Sequence, residues 1–268
     1  ASKTNYLQSH KAFFREIKVK KISEKWNRFL LREGKLDRES TDISREIILS
    51  FKELVSTGEL HNSGMPFHWI EPQIPETLTD VADVKSIMVK VLVKNTAEAT
   101  EDQEAVSVPQ AHFAERKKEL LIFISADKGV ANTPEAMIAT TSEWLPDLKN
   151  LIRHELEHAR QTVKKSTGTD SGEYKGSHFG QSLRTRQSAI QYFTSPEEME
   201  AYVSGMYKKA KTKKVPFRDI FDTWFSGIQK IVMDLEDTEV TDEDAQTAFA
   251  DLKKKYLTYA SKRFPAAQ

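Results

Sequence analysis

Leu151-Ile152-Arg153-His154-Glu155-Leu156-Glu157-His158-Ala159 is the stretch from which the rest of the chain is read. Two histidines four apart on a helix share one face, one turn apart, so both imidazoles can reach a single metal ion. A zinc ion held this way needs a third protein ligand and keeps a fourth position for water. Glu155 follows the first histidine. Its carboxylate is thereby expected beside that fourth position, where it can take a proton from the water. Leu145, Leu148, Ile152, Leu156, Ala159 and Val163 recur with a helical period and predict a helix over residues 145–165 with one buried stripe. Pro146 is expected in its first turn, where a missing N–H costs little. The competing reading is a pair of exposed histidines on a charged helix, interleaved with Arg153, Glu155, Glu157 and Arg160.

Downstream, residues 166–194 hold Gly168, Gly172, Gly176 and Gly180, four of the ten glycines in the chain, together with Tyr174, His178 and Tyr192. This is expected to be a long surface connection or a substrate loop beside the metal helix. Ser195-Pro196-Glu197-Glu198 then reads as a helix start: Ser195 as N-cap, Pro196 in the first turn and Glu198 completing a capping box. Five lysines in residues 208–214 read as its solvated end. Two more amphipathic helices follow. One spans residues 216–235 with Phe217, Phe221, Trp224, Phe225 and Ile228, and the other is capped by Thr241 and carries Phe249, Leu252, Tyr256 and Tyr259.

Upstream, β-branched and apolar runs predict strands over residues 84–94 and 118–126, a further one over 106–113 interrupted by Pro109, and a short one at Met137-Ile138-Ala139. Residues 95–104 are polar and acidic and read as a mobile hairpin loop. Residues 60–75, with Pro66, Pro72 and Pro75, read as irregular, so His61 and His68 are expected to be surface or packing residues. Helices are predicted over residues 3–33 and 37–56, the second with Ile43, Ile47, Ile48, Phe51, Leu54 and Val55 on its apolar face. Strands first, metal helix after them and more helix to follow predict an α+β fold: a small, mostly antiparallel sheet packed on the metal helix, with additional helices at both ends.

Composition narrows the chemistry. Lys plus Arg equals Asp plus Glu at 40 each, and a chain of zero net charge is not expected to bind nucleic acid generally. The chain has no cysteine, so a zinc site must be built from histidine and carboxylate. No apolar run approaches about 18 residues, and no membrane partner is expected. Ala1-Ser2-Lys3-Thr4-Asn5 carries no apolar signal region, so cytoplasmic synthesis is expected; a protein packaged into a virion would read the same way.

Residues 151–159, paired with Pro196-Glu197-Glu198-Met199-Glu200-Ala201-Tyr202, resemble the zincin metallopeptidases of the glutamate type, the gluzincins. Phage-encoded predicted peptidases show a similar pairing of H-E-L-x-H-A with a later P-x-E-x-E-A-Y. The resemblance covers about 60 of the 268 residues. It implies a zincin-like fold and zinc bound by His154, His158 and a glutamate from the second helix. Glu198 fits the E-x-x-A pattern of that helix, with Glu197 and Glu200 as alternatives in register. It also implies Glu155 as general base and, by position, Tyr192 as stabiliser of the oxyanion. The third-histidine pattern H-E-x-x-H-x-x-G-x-x-H is absent, since Gln161 and Lys164 stand where its glycine and histidine would be. In zincins a sheet edge lies above the metal and binds the peptide as an added strand; residues 118–126 or 137–141 are expected to form it. The resulting expectation is a zinc metalloendopeptidase acting on proteins or peptides. Its organisation would be an N-terminal helical region (1–75), a zincin-like core (76–214) and a C-terminal helical region (215–268). The rival expectations are an inactive zincin scaffold that serves a structural or partner-binding role, and a metal-free helical protein with a coincidental motif.

Overall fold

The computed structural model describes residues 34–62, 64–72, 82–96, 104, 106–166, 184–235 and 240–264. The helix predicted over residues 3–33 and most of the glycine-rich stretch lie outside these. The first described element is helix α1, residues 34–56, whose Ile43, Ile47, Phe51, Leu54 and Val55 are buried as their spacing predicts. A short helix α2 (Glu59–Asn62) and strand β1 (Phe67–Ile70) follow, the strand lying where irregular chain was expected. Next come β2 (Ser86–Lys94), β3 (Val106–Ala114) and β4 (Glu119–Asp127).

The four strands among the described residues form one sheet in the order β1-β2-β4-β3. β1 runs antiparallel to β2 and β3 antiparallel to β4, while β2 and β4 are parallel from Ser86↔Glu119 to Lys94↔Asp127. The fold is therefore α+β with a small, mostly antiparallel sheet. Two strand expectations are overturned. β2 and β3 are not hairpin neighbours, because β4 lies between them, and most of the stretch 95–104 lies outside the described residues; the hairpin joins β3 to β4 through residues 115–118, with Lys118 at φ 55°. Met137-Ile138-Ala139 is not strand but part of helix α3 (Pro134–Ala139), where the Thr133 side chain accepts the Ala136 N–H at 3.2 Å and Pro134 opens the first turn.

Helix α4 (Thr141–Ser166) carries the two histidines. It begins four residues before the predicted start, so Pro146 sits in its second turn and leaves one helical hydrogen bond unmade. Its apolar stripe is Trp144, Leu148, Ile152, Leu156 and Ala159, with Trp144 rather than Leu145 as the first buried member. The stripe packs on the sheet face formed by Ile87, Val89, Val91, Leu120, Ile122 and Ile124, and α1 completes the same core. Among the described residues four helices follow: α5 (Arg186–Thr194), α6 (Pro196–Lys213), α7 (Phe217–Met233) and α8 (Asp242–Arg263). They enclose a second, aromatic core around Phe193, Phe221, Phe249 and Tyr256.

Helix α6 joins the two cores, since α4 and α6 share the most extensive helix–helix contact among the described elements. Gly205 makes this possible. A Cβ there would lie 2.4 Å from Oδ1 and 2.8 Å from the backbone oxygen of Asn150 on α4. Lys208, expected in a solvated helix end, is buried instead: its Nζ donates to the Asp37 carbonyl at 2.7 Å and to Thr41 Oγ1 at 2.8 Å. Burial lowers its affinity for a proton, and the Asp37 charge opposes that shift. The prediction for Gly205→Ala is a loss of about 1–3 kcal/mol in urea unfolding, the usual cost of overpacking, because the Asn150 backbone must move as well as its side chain. An unchanged midpoint would show that the crossing is looser than described.

Candidate metal centre

The centre is assembled by α4 and α6. His154 and His158 project from one face of α4, and Glu198 projects from the first turn of α6. Ser195 caps α6 by accepting the Glu198 N–H at 3.2 Å. The Glu198 side chain does not turn back to complete a capping box. It reaches toward the histidines, and its Oε2 is buried without a hydrogen-bond partner. One ligand atom from each of these three residues lies within 4.8 Å of the other two.

The edges of this triangle are 3.0 Å (Nε2 of His154 to Nε2 of His158), 3.4 Å (His158 Nε2 to Glu198 Oε2) and 3.7 Å (His154 Nε2 to Glu198 Oε2). Ligands about 2.0–2.1 Å from a tetrahedral zinc would be separated by about 3.3–3.4 Å. The edges bracket that value, and an orphaned carboxylate oxygen stands at one corner. The group could therefore hold a metal ion, and its nitrogen and oxygen donors suit zinc. Glu197 and Glu200 stand elsewhere. The Glu197 carbonyl accepts from Gln161 Nε2 at 3.1 Å, and Glu200 accepts from Arg160 at 2.7 Å and from Arg263.

Glu155 lies beside the triad without belonging to it. Its Oε1 is 3.8 Å from His154 Nε2, and its Oε2 accepts the backbone N–H of Phe113 on β3 at 2.8 Å. The reading of α4 as an exposed charged helix fails, because Arg153, His154, Glu155, Glu157, Arg160 and Gln161 are all buried.

Burial explains how these charges are arranged. Glu157 is fully buried and accepts from Arg153 at 2.8 Å, from Arg160 Nε at 2.7 Å and from Arg263 at 3.3 Å. Arg153 also reaches Asp37 at 3.3 Å. Gln161 spans from Glu200 at 3.2 Å to Nδ1 of His158 at 3.1 Å, so the network ends on a candidate ligand and orients its ring.

The same burial sets the titrations. Desolvation and the neighbouring His158 push His154 down to about 3, so it stays a neutral donor. Burial would lower His158 too, but the Glu198 and Glu155 carboxylates outweigh it and raise His158 to about 9. Burial raises Glu155 to about 7 against the pull of His158 and the Phe113 N–H. Glu198 is held below the ordinary glutamate value because its contacts with the histidines and with Tyr192 outweigh burial.

Tyr192 is buried at the end of α5, and its hydroxyl hydrogen-bonds Glu198 and Tyr202. Tyr202, one turn beyond Glu198 on α6, packs edge-on against His154 with ring centroids 4.4 Å apart. Burial raises both tyrosines, which keeps them protonated as donors. Residue-by-residue reading missed Tyr202 and Gln161, although each stands at a helical spacing from a ligand: four after Glu198 and three after His158. His61 and His68 are remote, in α2 and β1, with His61 Nε2 3.4 Å from the Ala131 carbonyl.

A cavity of about 1100 Å³ opens onto the centre, bordered by β3, α4, α6 and α7. β3 is the sheet edge on that side. Because the Phe113 N–H turns to Glu155, the alternation of antiparallel pairing turns the N–H and C=O of Ala111 and the C=O of Phe113 away from β4, toward the cavity. The two edges expected from sequence are corrected: residues 119–127 form an inner strand and residues 137–139 are helical. Comparison with protein-family models, curated proteins and solved structures finds no match to the chain.

Two predictions follow from this geometry. Replacing Glu157 with Gln is expected to destabilise the fold by about 3–5 kcal/mol, because buried guanidiniums lose their counter-charge; denaturant unfolding checks this. Zinc should bind at one ion per chain and be lost in His158→Ala. Between pH 7.5 and 8.5 the ligand set of the metal-free protein carries a proton on His158, which zinc displaces, so affinity should rise about tenfold over that unit. Calorimetry in buffers of different ionisation enthalpy measures the proton released, and its absence would contradict the assignment.

Proposed function

We propose that the protein is a zinc-dependent peptide hydrolase of the zincin type, with a glutamate as third ligand. One observation carries this reading. A three-residue ligand group opens onto a cleft and has, beside it, a carboxylate outside the ligand set that is pinned by the edge strand of that cleft. A structural zinc site closes its coordination with four protein ligands, whereas a catalytic one keeps a position open.

His154, His158 and Glu198 would hold the ion. Zinc bound there would polarise a peptide carbonyl and make water acidic enough to deprotonate near neutral pH. Glu155 would take that proton through the oxygen facing the ligand group and return it to the departing amine. Burial raises the Glu155 carboxyl above the ordinary glutamate value in the metal-free site, and the charge of a bound ion would oppose that shift and favour the basic carboxylate. The Phe113 N–H holds its other oxygen, so the base turns little during transfer. The same strand offers Ala111 N–H, Ala111 C=O and Phe113 C=O to an extended peptide, which brings the scissile bond and the base into one register. Tyr192 stays protonated beside the ligand group, and its O–H would stabilise a developing oxyanion by turning from Glu198 to the substrate.

The deciding experiment compares zinc-loaded wild type with Glu155→Gln on a mixed peptide library. Cleavage should stop with chelator and return with zinc. Glu155→Gln should keep one zinc per chain and lose at least about a hundredfold in rate, the usual contribution of a general base. Equal rates for the two proteins would reject the role of Glu155. One zinc per chain with no cleavage in either protein would favour an inactive scaffold.

A further inference from the structure

Between α4 and α6 stands a side-chain amide whose two ends are not interchangeable. Gln161 is buried, so neither end has open access to water. Its Nε2 faces two groups that only accept: the Glu197 carbonyl at 3.1 Å and Glu200 Oε2 at 3.2 Å. Glu200 is engaged as an anion, its Oε1 accepting from Arg160 at 2.7 Å and from Arg263. The amide NH2 is thereby held toward α6, and Oε1 is left 3.1 Å from Nδ1 of His158. A turned amide would set oxygen against two acceptors and leave its donors against the ring. The Gln161 oxygen can only accept in its turn, so Nδ1 of His158 carries the hydrogen. A neutral imidazole holds one hydrogen, which leaves Nε2 bare. Nε2 is the atom that faces the other ligands, 3.0 Å from His154 Nε2 and 3.4 Å from Glu198 Oε2.

We propose that Gln161 and Glu200 are a positioning pair that imposes on His158 the tautomer a metal ligand needs, with Nδ1 protonated and Nε2 directed at the ion. Gln161 acts through His158, and Glu200 acts through Gln161. The glutamate two residues past Glu198 thus serves the centre without coordinating. A ring in the opposite tautomer would present an N–H to the ion, and moving that hydrogen to Nδ1 requires an acceptor there, which only the observed amide orientation supplies. The inference rests on the metal site within the hydrolase reading above, and turnover plays no part in it.

The test reads ring nitrogens and zinc affinity rather than cleavage. In isotope-labelled, zinc-loaded wild type, long-range proton–nitrogen correlation should show His158 bound through Nε2, with a protonated, slowly exchanging Nδ1. Gln161→Met keeps the length and the net charge of the side chain and removes the amide. Its zinc affinity, measured by competition with a chelator, should fall about 10- to 100-fold, the usual effect of losing the partner of a ligating histidine. The double substitution Gln161→Glu with Glu200→Gln exchanges donor and acceptor between the two positions and conserves net charge. It still offers one oxygen to His158 Nδ1 and another to the arginines. The double variant should keep the protonated Nδ1 and bind zinc more tightly than Gln161→Met, short of wild type because the Glu197 carbonyl loses its donor. An ion bound through Nδ1, an Nδ1 without hydrogen, Gln161→Met binding zinc as tightly as wild type, or a folded double variant no better than Gln161→Met overturns the pair. The wild-type spectrum is decisive by itself if a variant fails to fold. A wild type that takes up no zinc overturns the pair together with the metal site. Zinc held through Nε2 with no cleavage of any peptide refutes the hydrolase reading alone and leaves the pair standing.

Discussion

The carboxylate of Glu157, sealed from water, is the constraint on which the arrangement depends. It occupies one of the two variable positions between the histidines, and guanidiniums from Arg153, Arg160 and Arg263 converge on it. Three positive charges on one negative would be untenable in a dry interior, so the network recruits Asp37 from α1 and Glu200 from α6, and three acids face three arginines. This balance draws four separate helices, α1, α4, α6 and α8, to one point. It also lies behind the ligand group: Gln161 carries the network to His158, and Glu200 sits half a turn from Glu198. Rigidity at the candidate centre is thereby inherited from buried charge as much as from apolar packing.

Much of this was legible in the sequence, for a physical reason in each case. The α4 stripe and the apolar face of α1 declare themselves because a helix packed on one side must repeat every three to four residues. β2 and β4 are legible because strands flanked by neighbours on both edges are rich in β-branched and apolar residues. The start of α6 was readable from Ser195 and Pro196, since capping is a local matter. His154, His158 and Glu155 follow from spacing alone. Among Glu197, Glu198 and Glu200 the three-dimensional packing of α6 on α4 was needed, because all three lie in the same two turns and only the rotation of the helix separates them.

Other features were hidden. α3 was misread because Met137 and Ile138 look strand-like, although Thr133-Pro134-Glu135 is a helix-start signal that deserved more weight. β1, only four residues long and flanked by Pro66 and Pro72, is created by pairing with β2 rather than by its own pattern. Lys208 looked solvated because its partners, the Asp37 carbonyl and Thr41, are more than 160 residues away in sequence. The strand bordering the cavity was misassigned for an instructive reason. The strongest strand signal marks the middle of a sheet, whereas an edge such as β3 is weaker and tolerates proline.

That edge has a further consequence. A strand with main-chain groups left open to a guest is equally open to another copy of itself, the route by which sheet proteins aggregate. In β3 the pairing register shifts between Ser107 and Gln110, and Pro109, lying within that shift, has no N–H to donate. The regularly paired part of β3 beyond that shift is thereby cut to residues 110–114. The proline that weakens β3 as a sequence signal thus also blunts the edge against pairing with another copy, as prolines and bulges do on exposed edge strands.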